Sequence, residues 1–128
     1  MNKETIKYWV KASQHDYKTM IGLFQIRRYS DSLFYGHIVL EKILKALVIQ
    51  ERRKQAPYTH NLIFLAGLTK LDLSQDTINL LIEVNRFNIR ARYPDIKFEF
   101  YKACDKKYTE KYLKEIKNLY KFLCQKIK

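Results

Sequence analysis
Leu33-Phe34-Tyr35-Gly36-His37-Ile38-Val39-Leu40-Glu41-Lys42-Ile43-Leu44-Lys45-Ala46-Leu47-Val48-Ile49 decides the fold. Wound at ~100° per residue, the stretch is apolar on most sides. A helix of that kind belongs in the middle of a bundle. Ser30 and Asp31, good N-cap types, precede it, and Gln55-Ala56-Pro57-Tyr58 breaks it, so the helix is expected over about 31–53. Three residues do not fit the pattern. His37 and Glu41 fall in the sector of Phe34, Leu40, Leu44 and Val48, and Lys45 lies one turn beyond Glu41. A charge in an apolar stripe is costly unless paired. Glu41 and Lys45 stand in the favourable i,i+4 order, but such a pair supplies only about 0.2–0.5 kcal/mol. A further partner is therefore expected, and Arg86, Arg90 and Arg92 are the expected source.

Outward from this helix, Ile6, Trp9, Val10, Ser13, Tyr17, Met20, Ile21 and Phe24 share one helical stripe and predict a first helix over about 3–26. On the other side, Thr59 or His60 starts a short third helix carrying Leu62, Leu65, Ala66 and Leu68, with Gly67 near its end. Asp72 or Ser74 caps a fourth, with Ile78, Leu81, Ile82 and Asn85 in line. Pro94 pushes Tyr93 out of helical geometry, so 88–95 reads as an ordered loop. Tyr108, Tyr112, Leu113, Ile116, Leu119, Tyr120, Leu123 and Ile127 mark the last long helix. Only three Gly and two Pro occur, too few for an all-β fold. The expectation is an all-α, antiparallel up-and-down bundle of four to five helices, forming one domain over residues 1–128.

Composition narrows the function classes. No apolar run approaches the roughly 20 residues a membrane span needs. The start, Met1-Asn2-Lys3-Glu4-Thr5, has no apolar signal region, so a cytoplasmic protein is expected. Cys104 and Cys124 lack CxxC spacing, and the three histidines are far apart in sequence; neither a disulfide framework, a metal site nor a cofactor is expected. Lys and Arg number 25 against 13 acids, a net charge of +12 that attracts phosphates and acidic partners. All seven Arg lie between Arg27 and Arg92, whereas the chain from Lys97 onward has ten Lys, four acids and no Arg. Spaced lysines usually form a solvated face. Clustered arginines are more informative, because a guanidinium grips an oxyanion with two bonds.

Several short segments, taken together, resemble one family. His37-Ile38-Val39-Leu40-Glu41-Lys42-Ile43-Leu44-Lys45-Ala46-Leu47 resembles the signature helix of the HEPN (higher eukaryotes and prokaryotes nucleotide-binding) domain. Trp9 ahead of 12–17 resembles that family's first helix, His60-Asn61-Leu62 its "H-[DN]-L" helix start, and Ala91-Arg92-Tyr93-Pro94-Asp95 its "ARYPD" loop. The resemblance spans nearly the whole chain in the expected order. It implies an antiparallel helical bundle, often a homodimer, that handles nucleotides or RNA. It also implies a small nucleotidyltransferase as protein partner, as in toxin–antitoxin-type pairs, with Tyr93 a candidate target for nucleotide attachment.

The RNA-cleaving branches of that family carry Arg, four to six residues, then His near the start of the last long helix. Here Arg86, Arg90 and Arg92 are followed by no His. Arg53 and His60 have the spacing but straddle Pro57 and a helix break, so they are not read as that pair. No catalytic residue is assigned. The residues expected to bind a nucleotide or RNA phosphate are Arg90 and Arg92, with Arg86 and Lys45, for phosphate oxygens; Tyr93 to stack on a base or close the pocket; and Asp95 and Glu41 to orient the arginines or accept from hydroxyls. A metal-independent RNase with an altered site and a purely structural docking subunit are the alternatives.

Overall fold
A computed structural model describes residues 3–128; Met1 and Asn2, part of the start read above, lie outside the described residues. It contains α1 (Lys3–Gln25), α2 (Tyr29–Arg52), α3 (Leu62–Gly67), α4 (Gln75–Arg92), α5 (Pro94–Ala103) and α6 (Lys106–Gln125). No strand occurs among the described residues. The fold is an all-α helical bundle, with α2 at its centre. Of the 24 residues of α2, 14 are buried, and it packs on all five other helices. Gly36 marks the closest approach: a Cβ there would meet Ile116 Cδ1 of α6 at 2.8 Å and Met20 Sδ of α1 at 3.6 Å. Three helices converge at that point because the residue has no side chain.

The α1–α2 turn is built by left-handed geometry at Arg27, with φ 64°. The Arg28 N–H donates to the Leu23 carbonyl at 2.8 Å and the Arg27 N–H to the Phe24 carbonyl at 3.0 Å. This is the paired arrangement that closes a helix, normally with glycine at the left-handed position. It feeds the chain directly into α2 at Tyr29, so the expected caps Ser30 and Asp31 are not used. Asp31 instead pairs with Arg28 at 2.7 Å. Across the bundle, Asp16 of α1 pairs with Lys42 of α2, and Ser13 Oγ and Tyr120 OH lie 2.8 Å apart.

Asn61 caps α3, its Oδ1 accepting from the N–H groups of Ile63 and Phe64. Asn85 of α4 donates to the same oxygen at 3.1 Å and accepts from the Leu62 N–H at 3.0 Å, which fastens α3 to α4. Ser74 caps α4 and Asp105 caps α6.

The expected loop over 88–95 is the main local correction. Tyr93 is extended, with φ −96° and ψ 120°, as a residue before proline should be. Helix nevertheless continues up to Arg92 and resumes at Pro94. Proline is at rest in a first helical turn, where its missing N–H is not needed. The resulting α5 adds a sixth helix and buries Phe100 against Phe87, with ring centroids 5.6 Å apart. None of the described helices is long and apolar enough to cross a membrane.

Candidate functional site
The polar residues that interrupt the apolar face of α2 meet the start of α3 and the last turns of α4. Glu41 is 8% exposed and Lys45 6%, and Lys45 Nζ donates to Glu41 Oε2 at 2.9 Å. The second carboxylate oxygen accepts from His60 Nδ1 at 2.8 Å. The partner of Glu41 beyond Lys45 is therefore a histidine, not an arginine of α4. Burial pushes the Glu41 carboxyl up, but the hydrogen bonds from His60 and Lys45 outweigh it and hold the group below its ordinary value. It is an ionised carboxylate with both oxygens engaged.

A chain of hydrogen bonds runs on from there, and each donor is fixed by the chemistry of its acceptor. His37 is fully buried, and its Nε2 lies 2.7 Å from the His60 carbonyl oxygen. A carbonyl only accepts, so Nε2 carries the proton. Burial, more than any neighbour, depresses the His37 pKa to about 4, and the ring is neutral. Its Nδ1 is then an acceptor, facing Asn88 Nδ2 at 3.3 Å. This explains why His37 Nδ1 and Glu41 Oε1 stand 3.8 Å apart without bonding. Asn88 Oδ1 in turn accepts from Arg92 Nε at 3.1 Å. Arg92, Asn88, His37, His60, Glu41 and Lys45 thus form one polar chain across three segments.

Aromatic rings wall it. Lys45 Nζ lies 5.2 Å from the Trp9 ring centroid and 5.9 Å from that of Tyr58, and Arg92 Cζ lies 5.7 Å from that of Phe34. These are cation–π distances. The chain meets solvent at two ends. The His60 side chain is 43% exposed, and its Nδ1 is committed to Glu41, leaving Nε2 as the outward nitrogen. Arg92 is exposed, and the bond through Nε leaves the two terminal nitrogens of its fork.

The arginines expected to act together do not. Because α4 continues to Arg92, positions two apart face opposite ways, ~200° around the helix. Arg92 shares a side with Asn88, while Arg86 and Arg90 share the other. Arg90 Cζ stacks 4.8 Å from the Phe100 ring centroid, and Arg86 reaches Glu83 at 3.9 Å. Tyr93 is exposed at the α4–α5 junction, and Asp95 is exposed in the first turn of α5. Of the expected set, the structure brings together Lys45, Glu41 and Arg92. It adds His60, Asn88 and the rings of Trp9 and Tyr58. Arg53 caps the far end of α2, ~18 Å along the helix from Glu41, so it is no partner of His60.

The comparisons with known proteins agree with this architecture. The crystal structure of TT1696 from Thermus thermophilus superposes with a TM-score of 0.81, at 19% identity, over 98% of each chain. At that identity the likeness is one of fold. No curated protein matches the chain. The HEPN domain profile matches residues 6–127, nearly the full length, and the chain belongs to the HEPN domain family.

Proposed function
We infer that this chain is a binding module for the phosphate groups of a nucleotide or RNA, and that the phosphate is held at the exposed ends of the polar chain. The observation that carries this is the bond series from Arg92 through Asn88 and His37 to the His60 carbonyl, which braces the Arg92 side chain and the His60 backbone through two buried residues, while Glu41 holds the His60 ring. A guanidinium braced at Nε and packed on Phe34 is pre-oriented for an oxyanion, and little freedom is lost on binding. Tyr58, the most exposed large aromatic residue, supplies a face for a base beside His60, their ring centroids 5.9 Å apart. Tyr93 directly follows Arg92, and Asp95 stands in the first turn of α5.

The test is a thermal-shift series with ATP, GTP, their diphosphates and a short RNA. At a ligand concentration ~100 times the dissociation constant, linkage adds about 2.7 kcal/mol. Arg92→Ala and His60→Ala should each remove most of the shift, while Lys114→Ala on the lysine face should not. Equal losses from all three would mean diffuse attraction and no site.

A second reading is RNA cleavage, and one observation favours it. In sequence no histidine follows Arg86, Arg90 and Arg92, yet His60 belongs to the same cluster as Arg92, with its Nδ1 held by a carboxylate. That arrangement orients an imidazole for proton transfer at Nε2. RNA left intact by concentrated protein counts against it; cleavage lost in His60→Ala supports it.

In either reading, a second copy of this chain or the small nucleotidyltransferase implied by the family resemblance would dock on exposed apolar surface. Ile82, Ile89 and Tyr93 form such a stripe along α4, with Arg86 in its midst. Sedimentation of wild type against Ile89→Lys separates a self-associating stripe from a free one.

A further inference from the structure
The strongest feature outside the polar chain is a cleft of about 590 Å³ between the α1–α2 turn and α5, lined by Arg27, Arg28, Asp31, Lys97, Phe98 and Tyr101 among others. Its floor is unusual for a basic helical surface. Phe98 and Tyr101 are 60% and 61% exposed, and their rings stack on each other, centroids 6.2 Å apart and planes 19° from parallel. Lys102 Nζ lies 4.7 Å from the Phe98 centroid. Position 100 of the same helix sends a phenylalanine into the core, so α5 has its buried anchor without these two. Three cations line the cleft against one acid, Asp31, which Arg28 already neutralises at 2.7 Å. Arg27 occupies a left-handed backbone position where glycine would be at rest, which sets an arginine at the turn beside the rings.

We propose that this cleft is a stacking platform for single-stranded nucleic acid, with bases laid on Phe98 and Tyr101 and the phosphate backbone tracked by Arg27 and Lys97. Exposed aromatic faces bordered by cations are the elements that hold unpaired bases without regard to sequence. Openness argues for a strand over a free nucleotide. Small-ligand sites enclose most of their ligand, and rings this exposed cover only one face of a base. A strand offsets that by repeated contacts, and the net charge of +12 draws a polyanion more strongly than a single nucleotide. A duplex keeps its base faces inside its own stack and gains only the electrostatic part. The platform lies apart from the Arg92–His60 chain and does not depend on the reading given to it.

The test is filter binding of a single-stranded RNA of about 12 nucleotides, within the span such platforms cover. The same sequence as a duplex, and ATP as competitor, run alongside. The double change Phe98→Ala with Tyr101→Ala alters no charge, so any loss is not electrostatic. It should weaken single-strand binding by about 30-fold or more, two bases each losing at least ~1 kcal/mol of stacking. Tyr101→Phe should bind like wild type. Arg27→Ala with Lys97→Ala should flatten the salt dependence by about 1.4 in slope, two contacts at ~0.7 each. Lys111→Ala with Lys114→Ala should leave the aromatic contribution unchanged. The proposal is overturned if the double aromatic variant binds like wild type, if the duplex binds as tightly as the single strand, or if ATP displaces the strand from the Arg92→Ala variant at micromolar concentration.

Discussion
At the α2–α4 face, every buried polar group leans on another. Glu41 has two donors, His37 has a donor and an acceptor, and Asn88 uses both ends of its amide. In the cleft between α5 and the α1–α2 turn, Phe98 and Tyr101 are largely exposed and stack on each other, and an arginine sits in a backbone conformation that suits glycine. The first region is fixed by directional bonds in a place where an unpaired group is expensive. The second is a surface whose residues could be replaced without disturbing the core. Stability should therefore depend strongly on one region and hardly at all on the other.

The largest effect should come from Glu41→Ala. It leaves the Lys45 ammonium buried without its counter-ion and the His60 Nδ1–H without an acceptor. Breaking a buried pair in this way costs about 3–5 kcal/mol. Urea denaturation measures it, and a loss below ~1 kcal/mol would mean that water reaches the pair and the region is not dry.

Acid should act on the same region. His37 is held down to about 4, chiefly by burial, from an ordinary 6.5. Below 6.5 the unfolded chain takes up a proton that the folded chain refuses, so stability is complete above that pH and falls as the pH drops towards 4. The total is roughly 3 kcal/mol at 1.36 kcal/mol per pH unit, and about 2 kcal/mol of it is gone by pH 5. The lowered Glu41 works in the same direction at still lower pH. Urea midpoints at pH 7.5 and 5 check this; a flat profile would show that His37 protonates in place.

The smallest effects belong to the platform. Arg27→Gly relieves the left-handed strain and should raise stability by roughly 0.5–1 kcal/mol, less the extra freedom glycine gives the unfolded chain. Phe98→Ala and Tyr101→Ala should each stay within about 0.5 kcal/mol of wild type, as exposed positions do. A much larger loss from either would show that the ring supports α5 and is not free to bind.

How much of this is legible in the sequence follows from how local each signal is. The helix spacing places α1, α2 and α6, and the misfit of Glu41 in an apolar stripe points to a buried polar cluster, because both are patterns within one helix. The identity of its partner is not legible. His60 lies beyond a helix break, and only the fastening of Asn61 to Asn85 decides where that segment lands. The arginines mislead for a different reason. A proline suggests a loop on both sides of it, whereas Pro94 constrains only Tyr93 and then starts α5. Once 88–92 is helical, Arg92 parts from Arg86 and Arg90, and Asn88 becomes its neighbour. Nothing in residue type marks Phe98 and Tyr101 as outward and Phe100 as inward; the contact with Phe87 settles that.

Trp9 is the single tryptophan of the chain, and it lies under the Lys45 ammonium. Indole emission responds to a charge near the ring, so the molecule carries its own optical reporter at one region only. An occupant that draws Lys45 away from the ring should change the colour and yield of that emission without any label. A strand on the Phe98–Tyr101 platform should leave it unchanged, so a single emission spectrum would show which of the two surfaces has been filled.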